Sequence, residues 1–424
     1  MTEKQDLMLG NPPPQARRNG VFTKKVVLAV SAAFCIFFLG MTFSEVEKYR
    51  SSRFFHSPKD RALFALKLSP LIDGHNDFPT FVRETYEYHL SNFSMYDHLS
   101  GHTDIPRIKE GMLKGQFWSL YVDCPALDPA AGLPWNRSGE YEAVHKTFQQ
   151  IDIVKRMIKA YPEEFRFVTR SEQVLPVSRR KKVASMMGIE GLHQIAGSAS
   201  TLRQYYNMGV RYATLAHNCD NVFADAAVHG NHTNGGLSDA GRKLVREMNR
   251  LGMMVDLSHV TPDVMHQTLD ISVAPAFFSH SSAKGVYNHP RNVPDDVLKR
   301  IPEKDGIVMV NFYPRFISPD PLNATLETVV EHIMHIAKVT GSYKHIGVGA
   351  DFDGIEIVPK GLEDVSKYPD LFIRLAEKGL SIPDLMGIAG HNLLRVWHKT
   401  EKATALVKDP PLEFEDEFDG SGIF

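Results

Sequence analysis

The sequence is short of cysteine. It has only three among 424 residues, so neither a disulfide-stapled scaffold nor a cysteine-built zinc module fits. It lacks charge imbalance too. The formal net charge is −2, and no basic face advertises nucleic acid. No glycine-rich phosphate loop is present: Gly347-Val348-Gly349 sits inside a strand pattern without dinucleotide-binding spacing. Long apolar runs are also scarce. The exception is Val26–Phe43, uncharged and just long enough for a bilayer core.

That exception divides the chain. Residues 1–25 read as a polar, disordered tail. Arg17, Arg18, Lys24 and Lys25 precede the run, and Glu45 and Glu47 follow it. The positive-inside rule then predicts a single-pass signal anchor over 26–43, with a cytosolic N-terminus and an extracellular or lumenal body. Residues 44–67 read as a stalk or lead-in helix. Glycosylation sequons begin at Asn92, Asn136, Asn231 and Asn323, all beyond the run. Cys35 lies within it, so Cys124 and Cys219 are the one pair able to form a disulfide in an oxidising compartment. The end, 401–424, reads as an acidic tail.

Histidine is plentiful, at nineteen residues, and its placement matters more than its number. From residue 68 to about 400, apolar runs of strand length alternate with helical patterns such as Tyr141–Lys159, Ser200–Tyr206, Ser238–Leu251 and Thr325–Thr340. Eight runs stand out: Leu71–Asp77, Phe117–Val122, Ala184–Glu190, Tyr212–His217, Met253–His259, Pro275–His280, Ile307–Phe312 and Ile346–Asp351. This rhythm predicts a (β/α)8 TIM-type barrel, preceded by one transmembrane helix. Active sites of such barrels lie at the C-terminal strand ends. Those ends carry His75 and Asp77, Glu190, His217, His259, His280 and Asp351. In a strand, residues i and i+2 share a face, so His75 and Asp77 can address one point.

Three histidines, an aspartate and a glutamate exceed the ligand set of one tetrahedral zinc. They suit two metals sharing a carboxylate, with a water or hydroxide between them, and hence amide or ester hydrolysis. Asp351 is placed to carry a proton from water to the leaving amine, and His217 to hydrogen-bond a developing oxyanion. Arg291, in a loop after the sixth run, suits a substrate carboxylate. Tyr313, past the seventh, could donate its hydroxyl to the same site. Ordinary roles stand beside these: Asp351 as a loop cap, His217 as a support, Arg291 as a surface cation, Tyr313 as a rim residue.

Six ordered motifs resemble the membrane (renal) dipeptidase family of the amidohydrolase superfamily. They are Asp73-Gly74-His75-Asn76-Asp77, Gly188-Ile189-Glu190-Gly191, Asp256-Leu257-Ser258-His259, Phe278-Ser279-His280-Ser281, Asn288-His289-Pro290-Arg291-Asn292 and Gly349-Ala350-Asp351-Phe352-Asp353-Gly354. The closing Gly390-His391-Asn392-Leu393-Leu394-Arg395-Val396 agrees. The resemblance implies a binuclear zinc dipeptidase with broad side-chain range, acting through a metal-bridged hydroxide. It puts His75 and Asp77 on one zinc, His259 and His280 on the other, and Glu190 between them. It gives His217, Arg291 and Asp351 to the substrate, with Asp351 in proton transfer. Cys124 and Cys219 match the family's intrachain disulfide. The chain departs from mammalian members in its apparent N-terminal anchor and in lacking a further cysteine to link subunits, which leaves room for a non-covalent homodimer. The competing readings are another hydrolase of the superfamily, such as a lactonase, and an inert barrel that binds a partner.

Overall fold

The computed structural model describes residues 57–125, 137–228 and 231–412. The expected anchor Val26–Phe43, the sequon at Asn136 and the end of the acidic tail lie outside these residues. Among the described residues, no helix is long and apolar enough to cross a membrane.

Among the described residues nine strands form in chain order: β1 Leu71–Asn76, β2 Leu113–Ser119, β3 Phe165–Phe167, β4 Val183–Glu190, β5 Val210–Thr214, β6 Met254–Asp256, β7 Phe277–Phe278, β8 Ile307–Val310 and β9 Ile346–Val348. Every pairing is parallel. β1 pairs β2 and β9, and β2 also pairs β4, so eight strands close into a barrel. β3 is excluded from that ring and adds to β4 from outside. All eight expected runs become barrel strands. β3 was not anticipated, because three residues are too few to show a period.

Closed parallel sheets are buried on both faces, which explains strands without polar alternation. β1, β4 and β5 are buried along their whole length. A compact apolar cluster joins Ile72, Phe117, Met186, Tyr212, Met254, Phe277 and Ile307, each from a different strand. Residues from so many strands can meet only in the barrel's lumen. Leu393, Val396 and Trp397 of the helix Asn392–Ala403 join this cluster.

The helices begin where the sequence has caps. Ser238 Oγ accepts from the Gly241 N–H at 3.0 Å and opens Asp239–Leu251. Thr325 opens Leu326–Thr340 with a capping box. The segment read as a stalk or lead-in helix is, from Pro58 to Leu68, a helix seated on the barrel domain. Its Ala62, Ala65 and Leu66 are buried, and Arg61 Nη2 donates to the Ala376 carbonyl at 2.7 Å. Cys124 and Cys219 are joined by a disulfide, which ties the loop after β2 to the loop that carries His217. The sequon asparagines Asn92, Asn231 and Asn323 are exposed.

Candidate metal centre

At the C-terminal end of the barrel, the strand-end residues converge on Glu190, the last residue of β4. Its carboxylate faces two ways. Oε1 lies 3.0 Å from His259 Nε2 and 3.2 Å from His280 Nε2. Oε2 lies 3.4 Å from His75 Nε2, which is itself 3.3 Å from Asp77 Oδ2 and 3.9 Å from Asp351 Oδ1. His217 Nε2 stands 3.9 Å from Glu190 Oε1. Every one of these side chains is buried.

The arrangement makes poor sense as a set of hydrogen bonds. His259 Nε2 and His280 Nε2 are 2.9 Å apart, nose to nose. His75 Nε2 and Asp77 Oδ1 are buried without a hydrogen-bond partner. Such orphans cost roughly 1–3 kcal/mol each. As a metal cage the same distances fit: ligand atoms about 2 Å from a tetrahedral ion lie about 3.3 Å from one another. Glu190, His75 and His280, Glu190, His217 and His259, and His75, Asp77 and Asp351 are three overlapping groups able to hold a cation. A fourth group, Cys124, His193 and Cys219, is not a site because its sulfurs are consumed by the disulfide.

The electrostatics agree. Burial pushes the His259 and His280 pKa values well below normal, so both imidazoles are neutral and carry lone pairs. Burial also lowers His75, yet Tyr212, Glu190 and Asp77 outweigh it and hold its pKa well above normal. A positive charge at His75 is therefore welcome. Burial raises Asp351 to about 7, with Asp77 and Glu190 adding to it against His75. His217 is lowered to about 4 by burial.

Local backbone serves this convergence. His259 and Asp351 sit at φ 68° and 69°, a left-handed conformation that non-glycine residues adopt at a cost of about 1–3 kcal/mol and that clusters at functional sites. At Gly188 an added Cβ would lie 2.1 Å from the Tyr212 ring. Its absence lets Tyr212 reach across and place its hydroxyl 3.0 Å from His75 Nδ1. Other supports also escaped sequence reasoning. Ser119 Oγ donates to Glu190 Oε2 at 3.2 Å. Asn311 Nδ2 donates to Asp351 Oδ2 at 2.8 Å. Asp73 Oδ1 accepts from the His75 and Ala350 N–H groups, both at 3.0 Å. Asp73 and Asp256 lie within the quoted motifs, which was the available signal.

Arg291 is buried too. Nη2 makes only a long contact, 3.4 Å, to the His280 carbonyl, while Nε and Nη1 have no hydrogen-bond partner. Phe316 covers its guanidinium at 5.2 Å. Burial lowers its pKa to about 10, which still leaves a cation at neutral pH. The surface-arginine alternative is therefore excluded. Tyr313 departs from expectation. Its hydroxyl donates to the exposed Glu356 carboxylate at 2.7–2.8 Å, a partner shared with Arg315. The structure thus turns this hydroxyl to the rim rather than to the cluster.

Comparison with known proteins is consistent with this geometry. The family model for membrane dipeptidase (peptidase family M19) matches residues 59–410. An uncharacterised dipeptidase of Schizosaccharomyces pombe is 66% identical over 362 residues, 85% of this chain and 88% of that protein. The dipeptidase aclJ of Aspergillus oryzae is 45% identical over 353 residues, 81% of each. A metallo peptidase from Rhodobacter sphaeroides, solved with a phosphinate mimic of the dipeptide L-Ala-D-Ala, is 27% identical with a TM-score of 0.70, covering 78% of this chain and 99% of that one. The chain belongs to the membrane dipeptidase family, peptidase family M19, and is a metallo-dipeptidase of that family.

Proposed function

We propose that the enzyme hydrolyses free dipeptides of broad side-chain range at a two-zinc centre. The observation that carries this reading is Glu190, whose two oxygens face two different ligand pairs, His75 with Asp77 and His259 with His280. When bound, such a metal pair supplies Lewis acidity and a water of lowered pKa.

The chain's own residues do the rest. Arg291 is a buried cation with two unpaired N–H groups, suited to the free carboxylate of a dipeptide. A neutral lactone would leave it unpaired, which weighs against a lactonase. His217 stays neutral at pH 7 and keeps one N–H to donate to a carbonyl oxygen gaining negative charge. Asp351, whose Oδ1 lies 3.9 Å from His75 Nε2, can take a proton from water and return it to the leaving amine. The Rhodobacter relative's ligand, a phosphinate mimic of a dipeptide, supports this substrate class.

The same proposal includes the anchor: Val26–Phe43 holds the chain in a membrane as a single span, with the catalytic domain extracellular or lumenal. The exposed sequons and the disulfide favour that side. A glycosidase-sensitive mass shift in alkali-resistant membranes would support this; an unglycosylated protein released by alkali would refute it.

Elemental analysis with an activity assay tests the centre itself. Two zinc ions per chain, with chelator-sensitive cleavage of free but not C-terminally amidated dipeptides, is the expected result. Two metals without dipeptide cleavage would overturn the substrate class, and a single metal would overturn the bridge.

A further inference from the structure

Each imidazole that turns Nε2 into the cluster turns Nδ1 away from it. A histidine that ligates through Nε2 must keep its proton on Nδ1. For His280 the surroundings decide this. Its Nδ1 lies 2.8 Å from Ser279 Oγ. The same hydroxyl lies 2.6 Å from Asp256 Oδ2, with a longer contact of 3.4 Å to Ser258 Oγ. A carboxylate only accepts, so the hydroxyl's single proton goes to Asp256. Ser279 then has only lone pairs left for His280, and Nδ1 must carry the hydrogen.

Asp256 is itself locked. Oδ2 also accepts from Thr214 Oγ1 at 2.6 Å. Oδ1 accepts from the Ser258 N–H at 3.1 Å and the Ser279 N–H at 2.8 Å. Asp256 and Ser279 are wholly buried. We propose that Asp256, acting through the Ser279 hydroxyl, is a positioning residue that fixes His280 in the Nδ1–H form and so keeps its Nε2 lone pair aimed at the metal site. This rests on the two-metal reading and deepens it.

The chemistry of asparagine at 256 makes the idea testable without changing shape. The amide oxygen has to remain opposite the two backbone N–H groups, because an NH2 there would face donors. The NH2 then faces the two hydroxyls. Ser279 Oγ must accept from it and turns its own proton toward His280 Nδ1. That favours the Nε2–H form, which cannot ligate.

The experiment uses the full-length enzyme, reloaded with zinc and titrated against a competing chelator. Asp256→Asn is expected to lose about 10–100-fold in affinity for one of the two ions, the usual range for an outer partner of a metal histidine. Ser279→Ala should lose a similar factor. The double variant should be no weaker than Ser279→Ala alone, because Asp256 acts through that hydroxyl. Cobalt-loaded Asp256→Asn should also show a changed visible spectrum. A merely structural Asp256, holding Thr214 and the backbone, would give additive losses and an unchanged cobalt spectrum, and that overturns the relay. Unchanged zinc affinity in both single variants overturns it as well. Should Asp256→Asn fail to fold, the affinity of Ser279→Ala decides by itself. A wild type that takes up only one ion overturns the two-metal reading, and the relay is then judged on that ion's affinity in the same variants.

Discussion

Buried histidines occur both at the mouth of the barrel and in its outer layer, and the two sets are treated differently. His332, on the outer helix Leu326–Thr340, is as buried as the site residues. Its Nδ1 accepts from the Ala283 N–H at 3.0 Å, and its Nε2 donates to the Ile317 carbonyl at 3.0 Å. At the mouth, His259 and His280 face each other at 2.9 Å, and His75 Nε2 has no hydrogen-bond partner. Burial is common to both; at His332 both ring nitrogens are partnered, and at the mouth they are not. A fold that saturates one buried histidine and leaves others open has given up stability at the open ones. That deficit is what a bound cation would remove.

The strongest way to break this contrast is at Glu190, the proposed shared ligand. Glu190→Gln keeps the shape but removes the charge between the two ligand pairs. We expect both ions to be lost together and kcat/KM to fall by at least about 10⁴-fold, since a catalytic metal supplies several kcal/mol. Retention of both ions on elemental analysis would refute the bridging role. A smaller loss is expected at Asp351. Asp351→Asn should hold metal normally while kcat drops about 10²–10⁴-fold, the range for a general acid–base group. A variant that turned over at the wild-type rate would remove Asp351 from proton transfer. Next comes Arg291→Met, which leaves a substrate carboxylate buried without its cation. The expected loss is roughly 2–5 kcal/mol in kcat/KM for free dipeptides, which brings them toward the C-terminally amidated ones that the wild type is expected not to cleave. Cleavage of free dipeptides by this variant at the wild-type rate would show that Arg291 does not read the carboxylate.

How much of this was legible depended on distance along the chain. The barrel and its mouth were readable because strand and ligand are sequence neighbours: His75 and Asp77 end one strand run, Glu190 another. The supports were not, because they cross the barrel. Tyr212 meets His75 from 137 positions away, and no local pattern reports that. Asp256 was visible inside a motif, yet its link to Ser279 depends on two strands pairing. Tyr313 stayed open between site and rim for the opposite reason. Its position just past β8 fitted the site, but Glu356, 43 positions on, takes its hydroxyl. β3 was too short to register against a background of longer periodic runs.

Metal removal sharpens the same contrast in stability. An ion that binds only the folded chain adds about 4 kcal/mol when its concentration is about 1,000 times Kd. Thermal unfolding of the chelated enzyme should therefore begin at a clearly lower temperature, and Glu190→Gln should no longer respond to chelator. An identical melting temperature with and without metal would mean that the mouth is not under-satisfied after all.

The smallest expected effect belongs to the outer layer. Burial lowers the His332 pKa to about 4 against an ordinary 6.5, with the bond to Ile317 opposing and His335 adding to the shift. Between those values the unfolded chain binds a proton that the folded chain refuses. Stability therefore rises with pH across this window and is lost on acidification from about 6.5 toward 4. The magnitude is about 3 kcal/mol at most. The structural reason is plain: a proton on Nδ1 would confront the Ala283 N–H. His332→Gln keeps one acceptor and one donor but cannot titrate. In the chelated protein, urea midpoints of wild type and His332→Gln should converge as the pH falls from 6.5 to 4. Parallel curves would show that this histidine does not set the acid limb, and would return the difference between the two regions to the mouth alone.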